Sequence, residues 1–184
     1  MSQLDVTRQF VQRVQDLQTE AELHRLLGDV TVEIGFQYFA LISHVDFRYP
    51  RQNTIRLENY PQSWVEKFIQ KGLYVQDPVL RVSLTSTVGF MWTDLPSMID
   101  INNAQRAILE NAAKHGLGGG FTVPANIPGE INGSCSFATR QGIQVPSTNL
   151  LVAQLVGAFA FEAARRLNQA DSMPQQLQPR LTQR

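Results

Sequence analysis

The sequence predicts an α/β protein built as an α-β-α sandwich, in which a central antiparallel sheet of about five strands lies between two helical layers. The 184 residues suffice for one sizeable core and are few for two. Amphipathic helical segments precede, interrupt and follow the strand-like segments, so both faces of a sheet can be covered. The strand-like segments are short and joined by tight turns, which favours antiparallel pairing.

Two helices are expected at the start of the chain, over residues 5–16 and 19–34. Apolar side chains recur at helical spacing in both segments. Thr19 and Glu22 form a capping-box pattern, which places the start of the second helix, and Gly35 is expected near its end.

Residues 37–45 are rich in aromatic and β-branched side chains and predict a strand buried on both faces. Proline and polar residues then predict a turn over residues 46–53, and residues 54–58 are expected to return as a second strand. Pro61, in a first turn where proline is tolerated, begins a predicted helix that ends near Lys71.

The second half of the chain is expected to contain further helices and another pair of strands. Helices are predicted over residues 77–85 and 102–115, and the glycine run 116–120 is expected to end the longer one. Strands follow over residues 121–124 and 131–139. The individually predicted strands are therefore one fewer than the expected sheet contains.

A long helix is predicted from about residue 146 to residue 168, and its apolar arc is too wide for a single contact face. We therefore expect one side of this helix on the sheet and the other on a partner. The folded domain is expected to span residues 1–168. Residues 169–180 are polar and rich in proline and glutamine, which predicts a linker.

Composition argues against several classes of protein. Lys+Arg and Asp+Glu number 16 each, so the formal net charge is zero, which argues against DNA contact by this part of the chain. The single cysteine, Cys135, cannot form an internal disulfide and indicates a reducing compartment. No signal peptide is recognised, and the apolar runs fall short of the roughly 18 residues of a membrane span. A cytoplasmic protein without membrane contact is expected.

The candidates for catalysis and metal binding are weak. His24, His44 and His115 lack the spacing of metal ligands, so no metal site is expected. Cys135 has no accompanying Cys/His motif, and the glycine run lacks the lysine and the element order of a phosphate-binding loop. Neither an enzyme nor a bound cofactor is expected.

A set of aromatic and acidic residues has a distinctive spacing. Its members are Tyr60, Trp64 four residues later, Asp77-Pro78 after thirteen more, and Trp92 after another fifteen. Together with the segment 116–124 and the Gly-Ser-Cys-Ser pattern at 133–136, this spacing resembles the autoinducer-binding domain of LuxR-type quorum-sensing transcription factors. The resemblance covers nearly the whole chain.

The resemblance implies a PAS/GAF-like α-β-α fold, an N-acyl-homoserine lactone as ligand, and a homodimer. It also implies that DNA is bound only through a C-terminal helix-turn-helix domain, and residues 181–184 resemble the first residues of such a domain, truncated here. One position departs, since Phe68 stands where the family usually has tyrosine. This departure leaves open a different small molecule, such as an aryl-homoserine lactone or a plant-derived signal.

The resemblance assigns the polar end of the ligand to three side chains. Trp64 is expected to donate its indole N–H to the lactone carbonyl, Tyr60 its hydroxyl to the amide carbonyl, and Asp77 to accept the amide N–H. The residue types suit these roles, because tryptophan is only a donor and an ionised carboxylate only an acceptor. Ser136 and Thr122 are expected as secondary polar contacts.

The acyl tail is expected to lie between the sheet and the helices, and Trp92 is expected to pack against the lactone ring. Pro78 and Gly120 are expected to be structural, the proline fixing a turn and the glycine allowing close backbone approach. The remaining expected lining residues are apolar: Ala40, Ile42, Phe68, Val79, Leu80, Ile108, Ala112 and Leu117.

Taken singly, these residues have ordinary explanations. Asp77 before a proline is a good helix cap, Tyr60 and Trp64 at helical spacing could be core residues, and Ser136 on a strand could face solvent. Only the joint spacing favours a ligand site. A lactone hydrolase or thioesterase using the same pocket is a further alternative, disfavoured because the sequence shows no nucleophile–base pair.

Overall fold

The computed structural model describes residues 2–50 and 53–172, with side chains described to residue 169. Its fold confirms the predicted class, because five antiparallel strands form one sheet between two layers of helices. The helices are α1 (Gln3–Gln15), α2 (Glu20–Glu33), α3 (Gln62–Gln70), α4 (Pro78–Ser83), α5 (Leu95–Met98), α6 (Asn103–Lys114) and α7 (Leu150–Ser172). The strands are β1 (Tyr38–Ser43), β2 (Arg56–Glu58), β3 (Phe90–Met91), β4 (Leu117–Ala125) and β5 (Gly133–Arg140).

The strands lie in the order β2-β1-β5-β4-β3, and every neighbouring pair is antiparallel. The register aligns Glu58 with Ala40, Ala40 with Ser136, and Ser136 with Thr122. Directly paired residues point to the same face of a sheet. These four residues therefore form one row of side chains that crosses most of the sheet on a single face.

The opposite face of the sheet is apolar and packs against α1, α2 and α7. Phe39, Leu41 and Phe137 are completely buried in this layer, together with the Cys135 thiol. The helices begin at recognisable caps, since Thr19 and Glu22 form the predicted capping box at the start of α2. This layer is the main hydrophobic core of the domain.

The second helical layer covers the face that carries the Glu58–Thr122 row. It consists mainly of α3, α4 and α6, and its apolar contacts form two small clusters separate from the main core. Side-chain hydrogen bonds tie α3 to α6: Lys67 Nζ donates to Asn111 Oδ1 at 2.9 Å, and His115 Nδ1 lies 3.0 Å from Ser63 Oγ. The contacts hold α3 above the sheet at a distance that leaves a cavity beneath it.

The glycine run 116–120 differs from the sequence expectation. Only Gly116, with φ +97°, ends the preceding helix, and β4 begins at Leu117. The next glycines belong to the strand because neighbouring atoms occupy the space of their missing side chains. A Cβ on Gly118 would lie 2.5 Å from the backbone oxygen of Arg140, and one on Gly119 would lie 2.7 Å from Val145.

Two other differences concern short or terminal elements. The fifth strand, β3, has only two residues, which is too short to show strand periodicity in the sequence. Helix α7 continues to Ser172, so residues 169–172, expected as linker, are helical instead. The rest of the predicted linker and the expected start of a helix-turn-helix domain at 181–184 lie outside the described residues.

Among the described residues, only one helical stretch is long and apolar enough to cross a membrane, and it consists mostly of α7. The mean hydropathy of its most apolar window within residues 147–169 is 1.2. As expected, the individual apolar runs of this stretch are short. Its mean hydropathy is nevertheless high because few polar residues separate these runs. In this fold Val152, Val156 and Ala160 of the helix are buried against the sheet.

Candidate functional site

A cavity of about 90 Å³ lies between the sheet and the layer formed by α3, α4 and α6. Its floor is formed by β1 and β5 through Ala40, Ile42 and Ser136, and its roof by side chains of α3. Side chains that are far apart in the sequence thus face one enclosed space. Such a mostly apolar cavity with a few convergent polar groups is the usual form of a small-molecule site.

Tyr60 contributes a hydroxyl group to the cavity. The residue lies two positions before α3 begins, not within the helix as its spacing with Trp64 suggested. Burial of the hydroxyl raises its pKa well above the usual tyrosine value, the charge of Asp77 raises it further, and a hydrogen bond with Ser136 opposes the shift. Tyr60 is therefore a neutral hydrogen-bond donor at any physiological pH.

Trp64 projects from the first turn of α3 and lines the cavity. Its ring is almost fully buried, with centroid distances of 5.4 Å to Phe68 and 5.9 Å to His115. Within the described part of the chain, no residue accepts a hydrogen bond from its indole N–H. A buried indole usually has an acceptor, so this donor is available to a ligand carbonyl.

Asp77 is both a helix cap and a residue of the cavity wall. It is the N-cap of α4, where its Oδ1 accepts from the backbone N–H of Val79 at 2.8 Å, and it also lines the cavity. Burial raises the pKa of its carboxyl to about 6, while hydrogen bonds from Val79 and Leu80 partly oppose the shift. Because a carboxylate has about four lone-pair sites, the cap leaves capacity to accept a ligand N–H.

Trp92, Thr122 and Ser136 form a hydrogen-bonded chain at one side of the cavity. The indole N–H of Trp92 donates to Thr122 Oγ1 at 2.9 Å, and Thr122 Oγ1 lies 2.8 Å from Ser136 Oγ. Trp92 and Ser136 line the cavity, whereas Thr122 is fully buried behind them and is not among the lining residues. Thr122 thus connects Trp92 and Ser136, and its expected role as a secondary polar contact of the ligand stays a prediction.

The two residues expected to be structural each lie next to a residue that lines the cavity, Pro78 next to Asp77 and Gly120 next to Trp92. Pro78 is the first residue of α4, where it follows the capping Asp77. A Cβ on Gly120 would lie 2.5 Å from Cε2 of the Trp92 indole, so the ring rests directly on the glycine backbone. Ser136, which could have faced solvent, is buried on the cavity side of β5.

The cavity walls contain every apolar residue that the sequence singled out. Besides Trp92, these lining residues are Ala40, Ile42, Phe68, Val79, Leu80, Ile108, Ala112 and Leu117. Sequence reasoning missed a second group, which comprises Phe47, Arg56, Glu58, Val65, Ile69 and Leu109. Alternation along β2 could have found Arg56 and Glu58, because Ile55 and Leu57 point to the main core and leave their neighbours facing the cavity.

Cys135 and His44 are not among the residues that line the cavity. In residues 2–50 and 53–172, no group of three or more His, Cys, Asp or Glu side chains could hold a metal ion. Cys135 is fully buried in the main core, and burial raises the pKa of its thiol far above the usual value. Burial lowers the pKa of His44 to about 4, so its ring is neutral at physiological pH.

A larger and more open cleft of about 920 Å³ lies next to the cavity and shares Asp77 and Leu80 with it. Its walls carry more polar and charged side chains than those of the smaller cavity, including Asp46, Gln76 and Arg81. The smaller cavity, in contrast, places a few polar groups within mostly apolar walls, as is usual for a small-molecule site. We therefore take the smaller cavity as the candidate site.

Comparisons with known proteins agree on one family. The family model described as "Autoinducer binding domain" matches residues 19–167. The transcriptional activator protein VanR of Vibrio anguillarum is 29% identical over 131 residues, which are 71% of this chain and 53% of VanR. The chain thus spans about half the length of this curated relative.

Solved structures give the same result at the level of the fold. The crystal structure of Escherichia coli SdiA matches with a TM-score of 0.73 and 25% identity, covering 94% of this chain and 72% of that one. A structure of SdiA in complex with octanoyl-rac-glycerol matches with a TM-score of 0.72 and 26% identity, covering 91% of this chain and 68% of that one.

Proposed function

The chain belongs to the autoinducer-binding domain family of LuxR-type transcriptional regulators, and on this premise we propose that its cavity binds an N-acyl-homoserine lactone. The ligand is a signal and not a cofactor, and binding controls a DNA-binding domain of the helix-turn-helix type. One observation carries the proposal. A phenol, an indole and a carboxylate from Tyr60, Trp64 and Asp77 meet at one mostly apolar cavity.

The donors and acceptors of these three groups match those of the lactone headgroup. The unpartnered indole N–H of Trp64 suits the lactone carbonyl, the neutral hydroxyl of Tyr60 the amide carbonyl, and the Asp77 carboxylate the amide N–H. Each buried polar group left unpaired costs about 1–3 kcal/mol, so a ligand that satisfies all three is strongly favoured over one that does not. Trp92 then packs against the lactone ring, and the acyl tail lies over Ala40 under α3.

A second candidate ligand keeps the acyl tail and replaces the lactone by another polar head. The SdiA structure named with octanoyl-rac-glycerol, at 26% identity to this chain, supports this alternative. Phe68 also supports it, because a ring without a hydroxyl at this place in the wall leaves the tail end less specific. An aryl or plant-derived signal belongs to the same candidate.

Mass spectrometry of co-purified ligand tests both candidates. The chain is produced in cells supplied with a mixture of acyl-homoserine lactones, purified, and extracted with organic solvent. We expect an intact acyl-homoserine lactone in one-to-one ratio with protein, and its loss from an Asp77→Asn, Trp64→Phe double variant. Recovery of an acylglycerol or aryl signal alone favours the second candidate. Recovery of the hydrolysed lactone shows catalysis and contradicts both.

We further propose that the functional unit is a homodimer formed through α7. Leu151, Leu155 and Phe159 are spaced four residues apart on its outer side and are 80%, 44% and 37% exposed. A symmetric pair of DNA half-sites requires a two-fold symmetric protein, and a continuous apolar stripe can meet its own copy across such an axis. Sedimentation analysis is expected to show a dimer for the wild-type chain with ligand and a monomer for Leu155→Glu. A dimer in both would place the interface elsewhere.

The remaining parts of the proposal concern the longer protein. Residues from 173 to 180 would connect the sensor to the DNA-binding domain, whose first residues would be 181–184. The relatives are transcriptional regulators, so the site is proposed to bind its signal without chemical change. The single buried thiol and the packing of α7 on the sheet support a cytoplasmic location.

A further inference from the structure

The cavity has a mouth between β2 and α3, and the mouth is charged. Arg56 and Glu58 line both the cavity and an outer groove of about 340 Å³, together with Tyr60, Val65 and Ile69. The enclosed space is small compared with the roughly 300–1,000 Å³ of drug-sized ligand sites. A tail longer than a few carbons must therefore extend from the headgroup residues toward this mouth.

The pairing of β2 with β1 places the charged side chains of Arg56 and Glu58 where the acyl tail would pass. Arg56 pairs with Ile42 and Glu58 with Ala40, and both of these partners line the floor of the cavity. The side chains of Arg56 and Glu58 therefore share the cavity face of the sheet. Their neighbours on the strand, Ile55 and Leu57, pack on the opposite side with the main core.

The ion pair leaves the arginine able to bind something else. Arg56 Nη2 donates to Glu58 Oε1 at 3.1 Å, which uses one of the five N–H donors of a guanidinium group. The two side chains are 41% and 23% exposed, so the pair itself contributes little to stability. A methyl group at the mouth would remove water from these charges without replacing their hydrogen bonds, which is unfavourable.

We propose that Arg56 is a specificity-determining residue that hydrogen-bonds an oxygen-bearing substituent on the distal part of the acyl tail. The ligand class is then an acyl-homoserine lactone whose tail carries a hydroxyl, keto or phenol oxygen away from the amide. This inference rests on the proposed function, because it assumes that the headgroup is held at Tyr60, Trp64 and Asp77.

Matched pairs of ligands test the inference in the full 184-residue chain. The probes are hexanoyl-, octanoyl- and decanoyl-homoserine lactone, each with its ω-hydroxy derivative, and the readout is the dissociation constant from calorimetry. For the tail length that reaches the mouth, we expect the ω-hydroxy form to bind about tenfold more tightly than the methyl form, as for a hydrogen bond to a charged group.

Variants of the arginine separate its charge from its size. Arg56→Met keeps approximately the length of the side chain and is expected to bind the methyl form more tightly than the ω-hydroxy form. Arg56→Lys keeps a positive charge and is expected to retain part of the preference for the ω-hydroxy form. Arg25→Met, an exposed arginine on α2, is the control and should leave both constants unchanged. Thermal unfolding of each variant checks that the fold is retained.

The outcomes distinguish this inference from the function on which it rests. If both ligands of every pair bind equally to the wild-type chain, or if Arg56→Met keeps the preference, the role of Arg56 is wrong and the proposed function stands. If no acyl-homoserine lactone binds at any tail length, the proposed function fails and this inference fails with it.

Discussion

The two faces of the central sheet are formed by the same strands but differ in composition and packing. On one face Phe39, Leu41 and Phe137 are completely buried against α1, α2 and α7. On the other face Ala40 and Ser136 border a cavity under α3. Because adjacent residues of a strand point to opposite faces, a shift of one position separates residues that stabilise the fold from residues that face the candidate ligand.

The largest effect is expected from a substitution on the face of the sheet that packs in the main core. Phe137→Ala should reduce the free energy of unfolding by about 3–5 kcal/mol, because it removes a fully buried ring and leaves a cavity. Ser136→Ala, one position away on the other face, is the control and should cost about 1 kcal/mol from its lost hydrogen bond. Denaturant unfolding measures both. Similar losses in the two variants would contradict the division of roles between the faces.

The next largest effect is expected at the cavity, for the carboxylate of Asp77. Asp77→Asn should weaken binding of an acyl-homoserine lactone about tenfold or more, because the charge assistance to the amide N–H is lost. Unfolding of the ligand-free chain should be equally or more difficult, since asparagine caps a helix about as well and carries no charge to bury. Titration calorimetry and thermal unfolding measure the two quantities. Asp94→Asn, at the exposed position directly before α5, is the matched control, and an unchanged affinity in Asp77→Asn would leave Asp77 a helix cap only.

The pKa of Asp77 predicts how binding depends on pH. The folded value of about 6 lies above the ordinary 3.8, so the folded chain holds this proton more tightly than the unfolded chain. Ionisation of Asp77 therefore lowers the stability of the ligand-free fold as pH rises from about 4 to 6, and a ligand N–H recovers part of this loss. Affinity should fall about tenfold between pH 7 and pH 5 in the wild type.

Asp77→Asn is the control for this pH profile and should bind with the same affinity across the range. His44 does not interfere, because its pKa of about 4 keeps it neutral over this interval. Calorimetry at several pH values provides the measurement. A profile that persists in the variant would assign the titration to another group.

The smallest predicted effect compares the two tryptophans of the chain. Trp64→Phe should weaken ligand binding about fivefold, the value of one ordinary hydrogen bond, and leave unfolding nearly unchanged. Trp92→Phe removes an N–H that already donates to Thr122, so it should lower the stability of the ligand-free chain by about 1 kcal/mol. If Trp64→Phe binds as well as the wild type, the lactone carbonyl is held elsewhere.

Local rules predicted most helices of this protein correctly. The capping box at Thr19 and Glu22 and the Asp77-Pro78 pair both mark real helix starts. The same rules were wrong at residues 117–120, where a helix-stop interpretation competes with close packing in a strand. The difference arises because a helix cap depends only on neighbours within one turn. The need for glycine in a sheet is instead set by the space left by atoms of distant segments, such as those of Arg140 and Trp92.

The cavity shows the same division between local and distant information. The family resemblance carried by their spacing singled out Tyr60, Trp64, Asp77 and Trp92, and the structure brings all four to one space. It did not show that Thr122 lies behind that space, or that Arg56 and Glu58 border its mouth. Which side of a strand faces a cavity depends on pairing register and on the helix packed above it, and neither is encoded in a single segment.

The sequence by itself determined the fold class, most helix starts and the residues proposed to hold the headgroup, because these follow from periodicity, from capping and from a family resemblance carried by motifs along one chain. Only the tertiary structure decided the fifth strand, the burial of Thr122 and the charged mouth at Arg56 and Glu58. Those features depend on contacts between segments far apart in the chain, where burial and register override local preference.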